Sequence, residues 1–443
     1  MRFNVLSIPT VRNWTSREFF ARCLILFTFS ALLYVGLHQI FLGGPSPVWF
    51  GSSGYGQTAR ILVDHHLYSE NGLTTTVNRP PLYPVFLAGF YAIFGPAANV
   101  AAFVAQSLIW IGLGILLVRL AVRWTGDQLV GAFAAMLYAT HIEFALEALS
   151  QRETLLFTLG VALWLSSLGR TLNTRRAFML GFACGLLLLT RPTGLVFCAV
   201  IPLIFLPWTR SMPGKIVLRT TLIAVVTAFA VTLPWHLYIW RTTGGLDLLP
   251  SSTSGENLFK GHFAEFDSVF PWIDLDDTNP MLAELTTGLN ERERNTKLKT
   301  LGWSAIHADP GQAFRRSFVK IAALYSPLRT PLGEGEFEFT GHQWELTEFR
   351  LNRLHFIMLP HALLMIAGTV LFLRRWNHYD VGQRRIIAQV GLTILAVTAL
   401  HALTFGETRH RLPFDLAFIL ATAAAMGSRW PTKTPPSAPT NSV

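Results

Sequence analysis

Apolar runs of membrane-spanning length recur along these 443 residues, and that recurrence constrains the fold more than any other feature. Crossing the hydrocarbon core takes about 20 helical residues, and only helices or closed barrels satisfy their own backbone groups there. The runs fall at 22–42, 84–118 (with a bent start), 129–147, 153–168, 177–190, 193–208, 217–240, 355–373, 386–405 and 412–427. Charged residues make up only 14% of the chain, against roughly 25% in an average soluble domain. The expected fold is therefore an all-α polytopic membrane protein of about ten transmembrane helices.

The formal charge is +10, which in a soluble chain would point to nucleic acid. Here the basic residues sit between the apolar runs, so they read as orientation signals and no nucleic-acid partner is expected. Alternate connections carry Arg119 and Arg123; Arg170, Arg175 and Arg176; Arg210, Lys215 and Arg219; and Arg374, Arg375, Arg384 and Arg385. Both termini fall on the same side, which the positive-inside rule makes cytoplasmic. Arg12, Arg17 and Arg22 precede a first run too long for a cleaved leader, so it is read as an uncleaved span. Cys23, Cys184 and Cys198 lack metal-ligand spacing and read as small buried side chains.

The complementary connections then face outward. They are a loop at 43–83, turns at 148–152, at Arg191-Pro192 and at 406–411, and a long segment at 241–354. That segment holds 16 of the 26 acidic residues and reads as an extracytoplasmic, mostly helical or mixed domain. The domain plan is a transmembrane module at 1–240, the outer domain at 241–354, C-terminal spans at 355–427 and a disordered cytoplasmic tail at 428–443. Arg191 interrupts LLLLTRPTGLVF, where Pro192 can begin the next helix. A lone arginine there would snorkel to the interface. This one has company: Arg79 in NRPPLYP, Arg409 and Arg411 in ETRHRLP, Glu143 and Glu147 four apart on one helical face, and Glu153. Ionisable residues at membrane depth mark function by default, so these turns are expected to frame a polar chamber open to the outside.

Arginines on rigid turns suit a phosphate, because guanidinium offers a fixed fork of donors. Neighbouring carboxylates suit general-base work on a hydroxyl, and leave room for a divalent metal, although no metal ligands are assigned. An apolar flank suits a lipid tail.

Five stretches in order, NRPPLYPVFLAGFYAIFG, LSQRETLLFTL, LLLLTRPTGL, PWHLYIWRTTGGLDLLPSSTSGENLFKG and ETRHRLPFDLAFIL, resemble landmarks of bacterial GT-C-fold glycosyltransferases. These enzymes are similar to protein O-mannosyltransferases and lipid A aminoarabinose transferases. The resemblance spans about residues 50–427. It implies transfer of a sugar from a polyprenyl-phosphate donor to an envelope lipid, glycan or protein at the outer face of the bacterial cytoplasmic membrane. It further implies that Arg79 approaches the donor phosphate, that Glu153 belongs to the catalytic chamber, and that Glu256 and Asn257, with Lys260 in the same GENLFKG stretch, lie in a loop over the site. Arg191, Arg409 and Arg411 match landmarks without individual roles.

Two departures stand out. The family's acidic residue in the first outer loop is missing from GSSGYGQTA, where Gly51, Ser52 and Ser53 precede Tyr55. Tyr238 and Ile239 also stand where the family tends to have Arg-Asn, leaving Arg241 as the nearest cation. Glu143 and Glu147 are the nearest substitutes for the missing acid, followed by Asp64 and Glu70. The expected activity is glycosyl transfer by a monomer. The alternatives are a secondary transporter or flippase, and a silent relative that only binds a lipid carrier. His65-His66 reads as a solvated pair, Asp274, Asp276 and Asp277 as acidic surface, and Gly181 with Gly185 as a helix-packing pair. Trp49-Phe50 and the aromatics of 235–240 read as interfacial anchors.

Overall fold

The computed structural model describes residues 15–42, 54–149, 151–169, 171–209, 212–245, 249–264, 266–270, 279–328 and 353–427. No strand occurs among them. The first helices are α1 (Ser16–Leu42), α2 (Gly54–His65), α3 (Leu82–Phe94), α4 (Ala98–Thr125), α5 (Gln128–Ala139), α6 (Ile142–Leu149) and α7 (Thr154–Ser167). There follow α8 (Thr174–Thr190), the short α9 (Gly194–Ala199) and α10 (Ile201–Phe205), and α11 (Gly214–Thr243). Five smaller helices come next: α12 (Ser254–Lys260), α13 (Phe266–Val269), α14 (Asn279–Leu285), α15 (Glu291–Ala308) and α16 (Pro310–Leu324). The chain closes with α17 (Arg353–Arg374), α18 (Val381–Leu403) and α19 (Thr408–Met426).

The fold is that of a polytopic helical membrane protein, and its surface shows why. Leu218, Leu222, Val226 and Phe229 recur at helical spacing on α11 with 52–62% of their surface exposed. Leu24, Ile25, Phe29 and Leu32 do the same on α1. Such belts are unstable in water and at rest in lipid. Of the ten expected runs, four stretches are long and apolar enough to span without help: Ser16–Gly36, Leu82–Thr125, Gly214–Thr243 and Val381–Leu403. Several of the others are broken. A 3-10 turn at Gly95–Ala97 bends the long stretch between α3 and α4, with Pro96 in its first turn. The run at 129–147 splits at Thr140-His141, and the run at 193–208 divides at prolines 202 and 207. Hydropathy averages over such breaks, because one or two residues change little in the mean of a long apolar run.

The interior is apolar and aromatic, with Trp110 and Tyr138 stacked on each other and Phe27 edge to face against both, at the meeting of α1, α4 and α5. Tyr138 donates its hydroxyl to Trp110 O at 2.9 Å, so its one polar atom is satisfied. Helices α8 and α11 approach closest. A Cβ on Gly181 would stand 2.1 Å from Ala224 O, and one on Gly185 would stand 2.7 Å from Val231 Cβ. The expected packing role of this pair is thus realised, against backbone at Gly181, which cannot yield as a side chain can, and against the Val231 side chain at Gly185. Gly181→Leu should force the two helices apart and cost about 3 kcal/mol or more. The check is the fraction of folded protein surviving a heating series in detergent, and an unchanged midpoint would remove close packing as the reason for this glycine.

The region expected to be helical or mixed is helical wherever it is described. Asn290 and Glu293 form a capping box at the start of α15, and Asp309 caps α16 with Pro310 at its first position. Gly255 lets α12 cross α15, since a Cβ there would meet Asn295 O at 2.0 Å. Buried Lys320 on α16 donates to Thr404 O at 2.9 Å, and Ser317 donates to Ala402 O at 3.1 Å, tying α16 to the end of α18. Glu291 accepts from the Thr76 hydroxyl and from Val77 N, the latter at 2.9 Å, which ties α15 to the loop between α2 and α3.

Candidate active site

The site grows from the loop between α2 and α3. Tyr68 donates its hydroxyl to Arg79 O at 3.0 Å, and Tyr238 donates to the carbonyls of Tyr68 and Thr76 at 3.3 Å. Tyr238, which replaces the arginine of the resembled family, therefore holds this loop onto α11. Trp235 stacks on Tyr238 at 4.7 Å and anchors Pro250 O through its indole N–H. The backbone leading into the Arg79-Pro80 turn is fixed by three aromatic side chains.

Arg79 leans over the N-terminal turn of α2. Its guanidinium carbon lies 4.4 Å from the Tyr55 ring centre, and its Nε donates to Glu70 Oε1 at 2.8 Å. A Cβ on Gly54 would stand 2.5 Å from Arg79 Nη2, and one on Gly56 would stand 2.7 Å from Gln151 Oε1. The GYG of the first loop is thus a platform: the two glycines admit Arg79 and Gln151, while Tyr55 stacks edge-on against Tyr83 at 5.2 Å. The Tyr55 hydroxyl lies beside the Glu153 carboxylate, within electrostatic reach of Arg79 and Arg191. Burial, reinforced by the Glu153 charge, pushes this phenol well above its ordinary range, so it stays protonated and acts as a donor.

Arg191 terminates α8 in extended conformation. Its Nε donates to Glu153 Oε1 at 2.6 Å and its Nη2 to Thr154 Oγ1 at 2.6 Å. Both partners of this ion pair are nearly buried, with side-chain exposures of 9% and 12%. His410, at the start of α19, is within electrostatic range of Arg152, Arg191 and Arg409, and stacks at 4.8 Å on His401 from α18. Arg409 itself pairs with Glu407 at 2.9 Å. The structure thus gathers Tyr55, Glu70, Arg79, Glu153 and Arg191 from four separate stretches of chain, and His410 brings Arg409 toward the Arg191 side.

Other expected members have partners of their own. Glu143 and Glu153 do not share one chamber wall: Glu143 turns to Arg411 at 3.4 Å, in a cluster with His141 and Asp415. The break before α7 reorients the chain between the two carboxylates. Arg411 donates to both Asp415 oxygens, at 2.9 and 3.2 Å, and His141 Nε2 lies 3.1 Å from Asp415 Oδ2. These groups form the polar end of a cavity of about 400 Å³ whose remaining wall is apolar, with Met358, Met365, Ile366 and Phe418. Among the described residues, His141, Glu143 and Asp415 are one trio whose donor atoms come within 4.8 Å of one another. A dication there would have to displace a guanidinium that already neutralises both carboxylates, so the trio fits an ion-pair network better than a metal centre.

Glu256 pairs with Lys260 at 2.9 Å and with Arg294 at 2.8 Å, which engages α12 with α15. Asn257 stands on the same helix. Arg241 is exposed in the last turn of α11, and Asp64 is exposed near the end of α2, about 13 Å along the helix from Tyr55. Glu147 belongs to α6, but its side chain lies outside the described residues, as do Gly51–Ser53, the triple aspartate and the C-terminal tail. Residues missed in the sequence are Gln151, His141, Asp415 and His410. Asp415 had a usable signal: it stands four residues after Arg411, on the same helical face, inside an apolar run.

The fold is that of a polytopic helical membrane protein, and it is shared with solved structures of membrane glycosyltransferases. Within that class, residues 78–238 match the family model described as dolichyl-phosphate-mannose-protein mannosyltransferase. Two structures of the oligosaccharyltransferase AglB from Archaeoglobus fulgidus share the fold. The one in complex with an inhibitory peptide and a dolichol-phosphate is 14% identical with a TM-score of 0.50, and the apo form is 13% identical with a TM-score of 0.52. Each match covers 93% of this chain and 50–51% of that one, so the chain spans about half the length of the archaeal enzyme. ArnT from Cupriavidus metallidurans, bound to undecaprenyl phosphate, is 13% identical over 93% of this chain and 77% of its own, with a TM-score of 0.39. No curated protein sequence matches the chain.

Proposed function

We propose that the chain transfers a sugar from a polyprenyl-phosphate carrier to an envelope lipid, glycan or protein, at the outer face of a bacterial cytoplasmic membrane. The observation that carries this reading is the convergence of Arg79, Tyr55 and the Arg191–Glu153 pair beneath the first outer loop. Support also comes from the dolichol-phosphate in the archaeal structure of the same fold and from the family match over 78–238.

Arg79 uses Nε on Glu70, which leaves its terminal N–H groups for a phosphate oxygen. The single Tyr55 O–H, which lies beside Glu153, can turn to the phosphate, and Arg191, held by Glu153 and Thr154, adds positive potential behind it. The carbon–oxygen bond to the sugar breaks toward a phosphate stabilised by these donors. The acceptor hydroxyl attacks the sugar carbon and gives up its proton. Glu153 is committed to Arg191, which makes it a positioning residue, and Glu143 serves the neighbouring cavity. Glu70 is the carboxylate placed beside Arg79. Phosphate on the terminal N–H groups shares the guanidinium charge with Glu70 and weakens its hold on that carboxylate, leaving Glu70 to take the proton.

Incubating the purified chain with radiolabelled polyprenyl-phosphate sugars and an envelope extract tests this. Label should move to the extract, and Glu70→Gln should cut turnover about 10²–10⁴-fold while donor still binds. Donor binding without transfer under every acceptor would instead leave a carrier-binding protein. Failure to bind any lipid-linked sugar would end the proposal.

A further inference from the structure

A second cavity, of about 440 Å³, lies among α4, α17, α18 and α19 at the end of the bundle away from the Arg79 platform. Its walls are apolar, with Ile386, Val390, Leu395 and Leu420 among them, and Arg123 and Arg176 stand at its rim. The two guanidiniums are within electrostatic range of one another. Arg123 donates to the carbonyls of Ser166 and Leu168 at 3.0 and 3.1 Å, and Arg176 donates to the carbonyl and hydroxyl of Thr171 at 2.6 and 2.7 Å. Among the described residues neither has a carboxylate within ion-pair distance. Gly169 lets the Arg176 guanidinium lie against the chain, since a Cβ there would stand 2.4 Å from Nη1. Two residues lining the cavity, Trp124 and Thr369, also carry buried polar atoms, Nε1 and Oγ1, with no hydrogen-bond partner.

Two like charges side by side repel, and they are stable together when an anion lies between them. An apolar cleft within the bilayer is stable when a hydrocarbon chain fills it, because an empty one forfeits dispersion contacts. We infer that this cavity holds an acyl chain of an anionic phospholipid, with the lipid phosphate between Arg123 and Arg176. The connections bearing these arginines belong to the basic side of the protein, which faces the cytoplasmic leaflet where anionic headgroups gather. This site is separate from the proposed donor site. Arg176 and Arg191 stand fifteen residues apart at opposite ends of α8, about 22 Å along the helix axis.

The full chain in neutral detergent, exchanged free of native lipid, provides the test. Phosphatidylglycerol should remain bound in native mass spectrometry and raise the melting temperature, and phosphatidylcholine should do so far less. Arg123→Gln with Arg176→Gln should weaken phosphatidylglycerol binding about thirtyfold, the combined worth of two interfacial cations. Gly391→Leu offers a second variant that leaves both arginines alone. Gly391 lines the cavity with open space around its missing Cβ, and leucine favours the helix more than glycine does. It should expel the chain and weaken binding comparably. Equal binding of the two lipids, or unchanged binding in both variants, overturns the inference. So does displacement of phosphatidylglycerol by inorganic phosphate at equal concentration, which would leave the chain without a role. Preference for polyprenyl phosphate over phosphatidylglycerol at these arginines would overturn it too, in favour of a carrier site.

Discussion

Arg191→Ala should destabilise the protein by about 3–5 kcal/mol, because it strands the Glu153 carboxylate in a nearly closed site. Both side chains of the pair are close to buried, and their 2.6 Å contact is backed by a second bond from Arg191 to Thr154. Truncation removes the cation and leaves the anion only the Tyr55 hydroxyl, which costs more than the pair itself contributes. Arg191→Lys should recover only part of the loss, since a single ammonium cannot reach Glu153 and Thr154 in the planar geometry the guanidinium uses. Glu153→Gln with Arg191→Ala should be milder than the arginine change alone, because no isolated charge remains. Thermal inactivation rates in detergent give the comparison, as unfolding of a protein this size need not be reversible. If Arg191→Ala inactivates at the wild-type rate, the pair is not holding the α7–α8 hairpin together.

The helical, membrane-spanning character was legible because hydropathy is a local property that survives averaging over a window. Breaks inside the runs were less so: the 3-10 turn at Gly95–Ala97 and the split at Thr140-His141 leave the mean hydropathy of their runs high. Arg79, Arg191 and Arg409 could be picked out as charges interrupting or opening apolar runs, and the structure sets Arg79 and Arg191 around Tyr55, and Arg191 and Arg409 around His410. Which carboxylate faces which arginine was not legible. Glu143 and Glu153 are ten residues apart and look interchangeable in the sequence, yet the chain turns between them and gives one to Arg411 and the other to Arg191. The GYG of the first loop reads as a place where an acid is missing. In the fold its glycines are the space that Arg79 and Gln151 occupy, a tertiary contact with no local signature. Tyr238, likewise a departure from the resembled pattern, turns out to carry two hydrogen bonds to the loop that presents Arg79.

Arg79→Ala should lower sugar transfer about 10²–10³-fold, the range seen when one preorganised donor to developing negative charge is removed. The loss should appear in donor affinity as well as in turnover, because a carrier phosphate is charged before the reaction and more so during it. Stability should change little. The Arg79 and Glu70 side chains are about one-third exposed, and ion pairs of that kind are worth roughly 0–1 kcal/mol. Arg79→Lys should restore charge without the fork, recovering affinity more than turnover. Glu70→Gln serves as the control: it removes the competitor for Arg79, so donor affinity should hold or rise while turnover falls. Gly54→Ala tests the same geometry from the other side, since its Cβ would stand 2.5 Å from Arg79 Nη2 and must push the guanidinium aside. That variant should lose donor affinity with Arg79 still present, which charge alone would not explain. Should both Arg79→Ala and Gly54→Ala bind donor as the parent does, the phosphate lies elsewhere in the chamber, and the Arg191–Arg409 side becomes its seat.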